Sequence, residues 1–212
     1  MGVIAHDIVK LHPEDIVSLT SIPDWAHHSL RTAPFVVVRR VPIVNELVPI
    51  GIRGSERNQR YGAFLPRDKI VQRITPEQLA ERKEWRTKQN TSFQNVWGAL
   101  EVVDAVLGAF KLAWGPTGSV GFELACHVPS IKLMSDLDIV VRVPEVLDRR
   151  DASEIYRELC STSVRVDVQL DTPSGVIALS EFVHSDGRIL VRSEKGPELI
   201  TNPWRNINSK SS

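Results

Sequence analysis

The chain has 212 residues, enough for one large domain or two small ones with hydrophobic cores. Lysine plus arginine and aspartate plus glutamate both total 26, so no net charge attracts a polyanion, which argues against nucleic acid as the main ligand. The chain has no apolar run of membrane-spanning length and no signal-peptide pattern. Its two cysteines, Cys126 and Cys160, fit a reducing compartment. We therefore expect a cytoplasmic protein without membrane contact.

The first part of the chain carries three short apolar runs that predict strands, each bounded by proline or charged residues. Their bounds are 35–38, 41–44 and 48–52. A polar loop follows, with two glycines and the arginines Arg53, Arg57 and Arg60. Guanidinium groups pair with phosphate in a bidentate manner, so these arginines are candidate substrate ligands. A solvated basic loop is an equally good interpretation.

Two helices are predicted next. Thr75-Pro76-Glu77-Gln78 is a helix start, because Thr75 can cap, Pro76 suits the first helical position and Gln78 completes a capping box. The charged residues from 79 to 88 predict that this helix is exposed and links two halves. A core helix is predicted from 92 to 107, with apolar residues at helical spacing.

In the second half, predicted strands alternate with predicted helices. The strands are 110–114, the run around Asp136 and Asp138, and 164–170; the helices lie before Pro129 and at 152–159. This alternation favours an α/β (α+β) fold in which helices flank a mixed sheet, with a smaller strand-rich N-terminal domain. We predict an N-terminal domain at 1–88, a catalytic domain at 89–205 and a disordered tail at 206–212.

The pattern that carries chemistry is Gly118-Ser119, followed by Asp136-Leu137-Asp138 in an apolar run. Side chains two apart on a strand share a face, so the two carboxylates lie about 7 Å apart at their Cα atoms. Two like charges this close favour a cation between them, and Mg²⁺ prefers oxygen ligands. Gly118 and Ser119 at a helix start predict a phosphate site, because free backbone N–H groups point there. Read separately, each motif is more often an ordinary turn or a solvated charge pair.

A third carboxylate, Asp167, lies between apolar residues on a strand predicted next to the first, and Arg142 shares the face of the aspartates if that strand continues. Arg142 then contacts either phosphate or a carboxylate. The order Gly-Ser, Asp-x-Asp and later Asp matches the nucleotidyltransferase pattern of the DNA polymerase β superfamily. This pattern predicts that Asp136, Asp138 and Asp167 bind two Mg²⁺ ions and act in catalysis.

Several longer stretches of the chain resemble one family, the malonate decarboxylase holo-acyl carrier protein synthases, or phosphoribosyl-dephospho-CoA transferases. The similar segments are 34–40, 49–54 with Arg57 and Gln59-Arg60, 75–79, 118–122, 135–138, 190–192, 196–199 and 202–204. Asn202 stands where an aspartate is expected in the closing Asp-Pro-Trp piece.

The resemblance implies a specific reaction. Such enzymes transfer 2'-(5''-phosphoribosyl)-3'-dephospho-CoA from its 5''-triphosphate, triphosphoribosyl-dephospho-CoA, to a serine of the malonate decarboxylase acyl carrier subunit, and pyrophosphate leaves. Asp136 and Asp138 fall on the paired catalytic aspartates of the family. Two alternatives stay open: a nucleotidyltransferase with another small-molecule or protein acceptor, and a non-catalytic domain that binds a nucleotide.

Overall fold

Two β-sheets, one from each half of the sequence, form the framework of the protein in a computed structural model that describes residues 2–56, 58–88 and 93–205. Helices flank both sheets, which confirms the predicted mixed α+β fold with a smaller strand-rich sheet at the N-terminus. No helix in these described ranges is long and apolar enough to cross a membrane. The predicted tail at 206–212 and residues 89–92 lie outside the description.

The N-terminal sheet has five antiparallel strands in the order β4-β3-β2-β1-β5. Strand β1 spans Ile8–Lys10, β2 Phe35–Val38, β3 Leu47–Arg53, β4 Arg60–Pro66 and β5 Gln72–Ile74. Helix α1, Asp24–Thr32, connects β1 to β2 and covers one face of the sheet. Its Ala26 and Leu30, one helical turn apart, join Val36 and Ile50 in a single apolar cluster.

Two of the three strands predicted in this region, 35–38 and 48–52, are confirmed as β2 and β3. The predicted strand 41–44 is wrong, since Val44 forms only an isolated bridge with Leu47. Pro42 has no N–H to donate, and Asn45 and Glu46 both have positive φ, so the chain turns back tightly before β3.

Helix α2 spans Pro76–Arg82, and its Thr75 capping box is present as predicted. The helix ends at Lys83, which has a left-handed conformation with φ of 51°. The expectation of an exposed helix is wrong: Leu79 is 2% exposed and Trp85, in the short 3₁₀ segment that follows, is fully buried. The charged residues occupy one side only, while the few apolar ones pack into the main core.

The C-terminal sheet has six strands in the order β11-β10-β9-β8-β7-β6. Strand β6 spans Ala113–Pro116, β7 Leu137–Arg142, β8 Val166–Thr172, β9 Gly175–Ala178, β10 Ile189–Ser193 and β11 Gly196–Ile200. Among the described strand pairs, β7 and β8 are parallel and the others antiparallel. A parallel pair needs a crossover, which here contains helix α5, Arg149–Leu159.

The remaining helices are α3 at Gln94–Ala109, α4 at Gly118–Cys126 and α6 at Leu179–His184. The predicted helices at 92–107, before Pro129 and at 152–159 are thus present. The strand expected at 110–114 begins later, at Ala113, because the preceding residues cap α3. Lys111 has a φ of 54°, and Leu112 N donates to Leu107 O.

Along strand β7, residues of the apolar core alternate with residues on the opposite face, which include the candidate site residues. Leu137, Ile139 and Val141 are at most 1% exposed and lie in the main core. Asp138 and Arg142 therefore lie on the opposite face of the sheet.

The polar face of the C-terminal sheet is turned toward the N-terminal sheet. Arg40, after β2, pairs with Asp171 of β8 at 3.1 Å. Ile8 and Ile74 of the N-terminal sheet belong to the main apolar core as well. The two halves therefore share both a hydrophobic and an ionic interface.

Candidate active site

A cleft of ≈ 570 Å³ lies between the two halves, within the range of about 300–1,000 Å³ that is usual for ligand sites. One wall consists of α1, the end of β3 and the loop residues 54–56. The other consists of α4, the loop at 127–136 and the start of β7. Five of the predicted site residues line it: Arg53, Arg60, Ser119, Asp136 and Asp138.

The two aspartates of the Asp-x-Asp motif reach the cleft from the start of β7. Asp136 is exposed just before the strand, and Asp138 is partly buried as its second residue. The backbone N–H of Thr117 donates to the Asp138 carbonyl at 2.8 Å. This bond ties the start of α4 to the strand that carries the carboxylates.

Gly118 is the first residue of α4 and packs directly against the Asp138 carboxylate. Its φ is +59°, and a Cβ atom built on it would overlap Asp138 Oδ2. A residue without a side chain is therefore required here on two counts, conformation and space. Ser119, the next residue, lines the cleft at the N-terminal end of the helix, where the dipole and free N–H groups favour anions.

Asp167 lies beside Asp138 across the parallel pair β7–β8, where the two are register partners. Their side chains emerge on the same face of the sheet. Asp167 is not among the residues that line the cleft, and within the described ranges no group of three or more His, Cys, Asp or Glu is close enough to hold a metal. The register thus brings Asp138 and Asp167 to one face of the sheet, while Asp136 lies just before the strand, and the three carboxylates do not form a ready metal site among the described residues.

The donor set nevertheless fits magnesium by its chemistry. Carboxylate oxygens are hard ligands, and Mg²⁺ is usually held by one or two carboxylates together with waters and substrate phosphates. Asp136 and Asp138 provide two such ligands in the cleft, with Asp167 adjacent to the second.

Arg53 is the most enclosed cation of the cleft. Burial, followed by the nearby charge of Arg60, lowers the pKa of Arg53 to about 10, while Asp138 acts in the opposite direction. The side chain is therefore still charged at neutral pH. Its guanidinium carbon lies 5.8 Å from the ring centroid of Phe122, within cation–π distance. Arg60 is exposed at the rim, and Arg57 lies outside the described residues.

Arg142 shares the aspartate face, as predicted, because β7 continues to that residue. Its guanidinium is held by two carboxylates: Nε donates to Glu77 at 2.7 Å and Nη1 to Asp171 at 2.6 Å. Arg142 does not line the cleft. Of the two contacts predicted for it, the structure shows the one with carboxylates.

Two parts of the cleft were not predicted. Helix α1 was missed, although Asp24 in the first turn and the Ala26/Leu30 spacing are helix signals. The loop at 127–136 was not assigned a role; buried Glu123 holds it in place by accepting from Ser130 N at 2.8 Å and Ile131 N at 3.1 Å. The sequence signal for this role was Glu123 itself, a single carboxylate among the apolar residues of a predicted helix.

Both halves of the chain match profiles of a known protein family. Residues 79–203 match the family profile of the phosphoribosyl-dephospho-CoA transferase MdcG C-terminal domain, and residues 4–76 match the corresponding N-terminal domain. No solved structure gives a significant match.

Curated relatives named phosphoribosyl-dephospho-CoA transferase are similar over most of the chain. The protein from Azotobacter vinelandii is 37% identical over 185 residues, covering 87% of this chain and 87% of its own. That from Pseudomonas syringae pv. tomato is 35% identical over 206 residues, covering 95% and 93%. That from Klebsiella pneumoniae is 35% identical over 199 residues, covering 94% and 95%.

Proposed function

This chain belongs to the phosphoribosyl-dephospho-CoA transferase family, and from that premise we propose that it attaches the 2'-(5''-phosphoribosyl)-3'-dephospho-CoA group to a serine of the malonate decarboxylase acyl carrier protein. The donor is triphosphoribosyl-dephospho-CoA. The serine Oγ forms a bond to the α-phosphorus of the donor, the bond from that phosphorus to the α,β-bridging oxygen breaks, and pyrophosphate leaves.

The observation that carries the proposal is the composition of the cleft. It holds Asp136 and Asp138 beside Ser119, and Arg53 and Arg60 on the facing wall. Phosphoryl-group transfer demands positioning and charge neutralisation rather than covalent help from the protein. In the proposed reaction the two arginines and the Ser119 hydroxyl bind the polyphosphate, and Gly118 keeps the backbone close to it.

We assign Asp136, Asp138 and Asp167 as ligands of two Mg²⁺ ions, as in the nucleotidyltransferases of the DNA polymerase β superfamily. Bound magnesium would lower the pKa of the attacking hydroxyl and neutralise charge on the departing pyrophosphate. Asp167 also accepts the serine proton in this scheme. The adjacency of Asp167 to Asp138 in register supports the assignment.

We further propose that the reaction takes place in the cytoplasm. Cys126 and Cys160 are both free thiols, and Cys160 is exposed. An exposed unpaired cysteine is typical of a reducing compartment.

The direct test is intact mass spectrometry of the apo carrier subunit incubated with the enzyme, triphosphoribosyl-dephospho-CoA and Mg²⁺. We expect the carrier to gain the mass of the phosphoribosyl-dephospho-CoA group, and not when its acceptor serine is alanine. An unchanged carrier, together with labelling of another acceptor by a common nucleoside triphosphate, would support a different nucleotidyltransferase. Magnesium-independent nucleotide binding without any transfer would identify a non-catalytic domain.

A further inference from the structure

A second groove adjoins the cleft along helix α1. This side groove, of ≈ 430 Å³, is lined by Trp25, His28 and Arg31 of the helix and by Ser55 and Gln59 of the facing loop. His28 and Ser55 line the cleft as well, so the two spaces border each other.

The donor of the proposed reaction is too large for the cleft alone. It combines a phosphoribosyl triphosphate with an entire dephospho-CoA, whereas the cleft has the size that suits one drug-sized ligand. If the triphosphate lies at Ser119 and the arginines, the rest of the donor must extend beyond the cleft. The side groove is the space that adjoins the cleft along α1.

The chemistry of the side groove suits a heteroaromatic ring rather than phosphate. Trp25 is partly buried, packed on the apolar cluster beneath α1. A Cβ atom on Gly54 would come within 2.8 Å of its indole ring, so the loop backbone packs against the ring. Asp24 and Arg31, which carry opposite charges, both line the side groove, and its lining residues have no excess of positive charge. Aromatic rings and guanidinium planes are the usual stacking partners of nucleic acid bases.

We propose that the adenine ring of the donor stacks on Trp25 in the side groove, an inference that rests on the proposed function. Helix α1 then recognises the nucleoside of the donor while β7 and α4 hold the reacting phosphates. Arg31 and His28 border the same space and contribute to binding the ring.

The test measures binding of two probes by isothermal titration calorimetry. Dephospho-CoA reports on the side groove, and inorganic tripolyphosphate reports on the cleft. For Trp25→Leu we expect dephospho-CoA to bind about tenfold more weakly and tripolyphosphate to bind as it does to the unchanged protein. Trp25→Phe keeps an aromatic face and should restore most of the affinity. The matched control is His27→Ala, because His27 is exposed on the same helix and lines neither space.

Arg31→Ala keeps the test decisive if Trp25→Leu fails to fold, since Arg31 is exposed and supports no core. It should weaken dephospho-CoA binding about threefold. Unchanged dephospho-CoA affinity in the Trp25→Leu or the Arg31→Ala variant overturns the proposal, as does a wild-type protein that does not bind this probe. Failure of the proposed function is a separate result, namely a carrier protein that gains no mass from the full donor.

Discussion

Among single residues, Gly118 is the one at which backbone conformation and the candidate chemistry depend on each other. Gly118→Ala places a methyl group where the Asp138 carboxylate lies, in a backbone conformation that costs an L-residue about 1–2 kcal/mol. We expect the rate of transfer to fall about 100-fold, because displacing a reacting group by about 1 Å has an effect of that size. Kinetics followed by intact mass spectrometry and urea unfolding measure the two effects.

The same substitution at Gly98 is the control. Gly98 lies within α3 with no atom near the position of a new Cβ. Gly98→Ala should leave the rate unchanged and raise the free energy of unfolding by about 0.5–1 kcal/mol. Equal losses of rate in both variants would show that Gly118 has no special relation to Asp138.

Asp138 itself gives the sharper catalytic prediction. Asp138→Asn keeps the shape of the side chain but removes its charge, and we expect transfer to fall about 10³-fold or more, since a bound metal supplies several kcal/mol of charge stabilisation. The thermal midpoint should change little. Asp186→Asn, at an exposed position between α6 and β10, is the matched control and should retain full activity. A near-normal rate for Asp138→Asn would contradict the assignment.

The departure from the family pattern at Asn202 has a local explanation. The side-chain oxygen of Asn202 accepts from the backbone N–H of Trp204 at 3.0 Å, a bond that an aspartate oxygen makes equally well. Trp204 in turn donates from Nε1 to the Val143 carbonyl at 2.8 Å and packs edge-on against Phe182. The position is thus a turn that fixes an indole ring, and amide and carboxylate serve it alike.

At the scale of elements, α2 connects the two halves through its first turn. Thr75 accepts from Gln78 N at 3.2 Å, and Pro76 packs so tightly on Gly115 of β6 that no side chain fits there. Thr75→Ala should lower the free energy of unfolding by about 1 kcal/mol in urea titrations, and Thr75→Ser should restore most of it. No loss in the alanine variant would mean that packing alone holds the helix start.

How much of the fold could be predicted also differs by element. Helices α2 and α3 were predictable because a capping box and a regular apolar spacing are local signals. Strands β10 and β11 carry no such signal; β10 pairs with β9, and β11 pairs with β10 at the edge of the sheet. The adjacency of Asp167 to Asp138 required the register of the parallel pair, which sequence spacing does not determine.

The candidate site, like the fold, was predictable only where the sequence signal is local. Motif residues on one segment, such as Asp136 and Asp138, were found, while the wall made by α1 depends on how the two sheets pack. Arg142 shows the limit most clearly. The sheet face on which Arg142 lies was predictable because side chains alternate along a strand. Its partners Glu77 and Asp171 were not, because they belong to other elements.

For the molecule as a whole, the interface between the sheets contains a histidine that resists protonation. His6 lies near Arg40 and Arg142, and burial, together with these positive charges, lowers its pKa to about 4. Asp171 and Glu77 oppose this shift but do not cancel it. The folded protein therefore holds His6 neutral across a pH range in which the unfolded chain, with a pKa near 6.5, becomes charged.

This difference predicts how stability depends on pH. Between pH 6.5 and 4 the unfolded state binds the proton and the folded state does not, so stability falls as the pH falls. His6→Asn tolerates the φ of 76° at this position and does not titrate. We expect its unfolding free energy to decline less over this range, by up to about 3 kcal/mol, in urea titrations at several pH values. Parallel pH profiles for the two proteins would contradict the prediction.

Across the mouth of the cleft, Lys132 of one loop faces Glu56 of the other at 3.7 Å, with side chains 57% and 64% exposed. Such a solvated pair contributes about 0–1 kcal/mol, and less in high salt. Surface loops fluctuate within nanoseconds to microseconds, whereas enzymes commonly turn over about 1–1,000 times a second. For the carrier protein that we propose as acceptor, loop motion is therefore fast enough to open the cleft, and we expect phosphoryl transfer or product release, rather than acceptor entry, to limit the turnover rate.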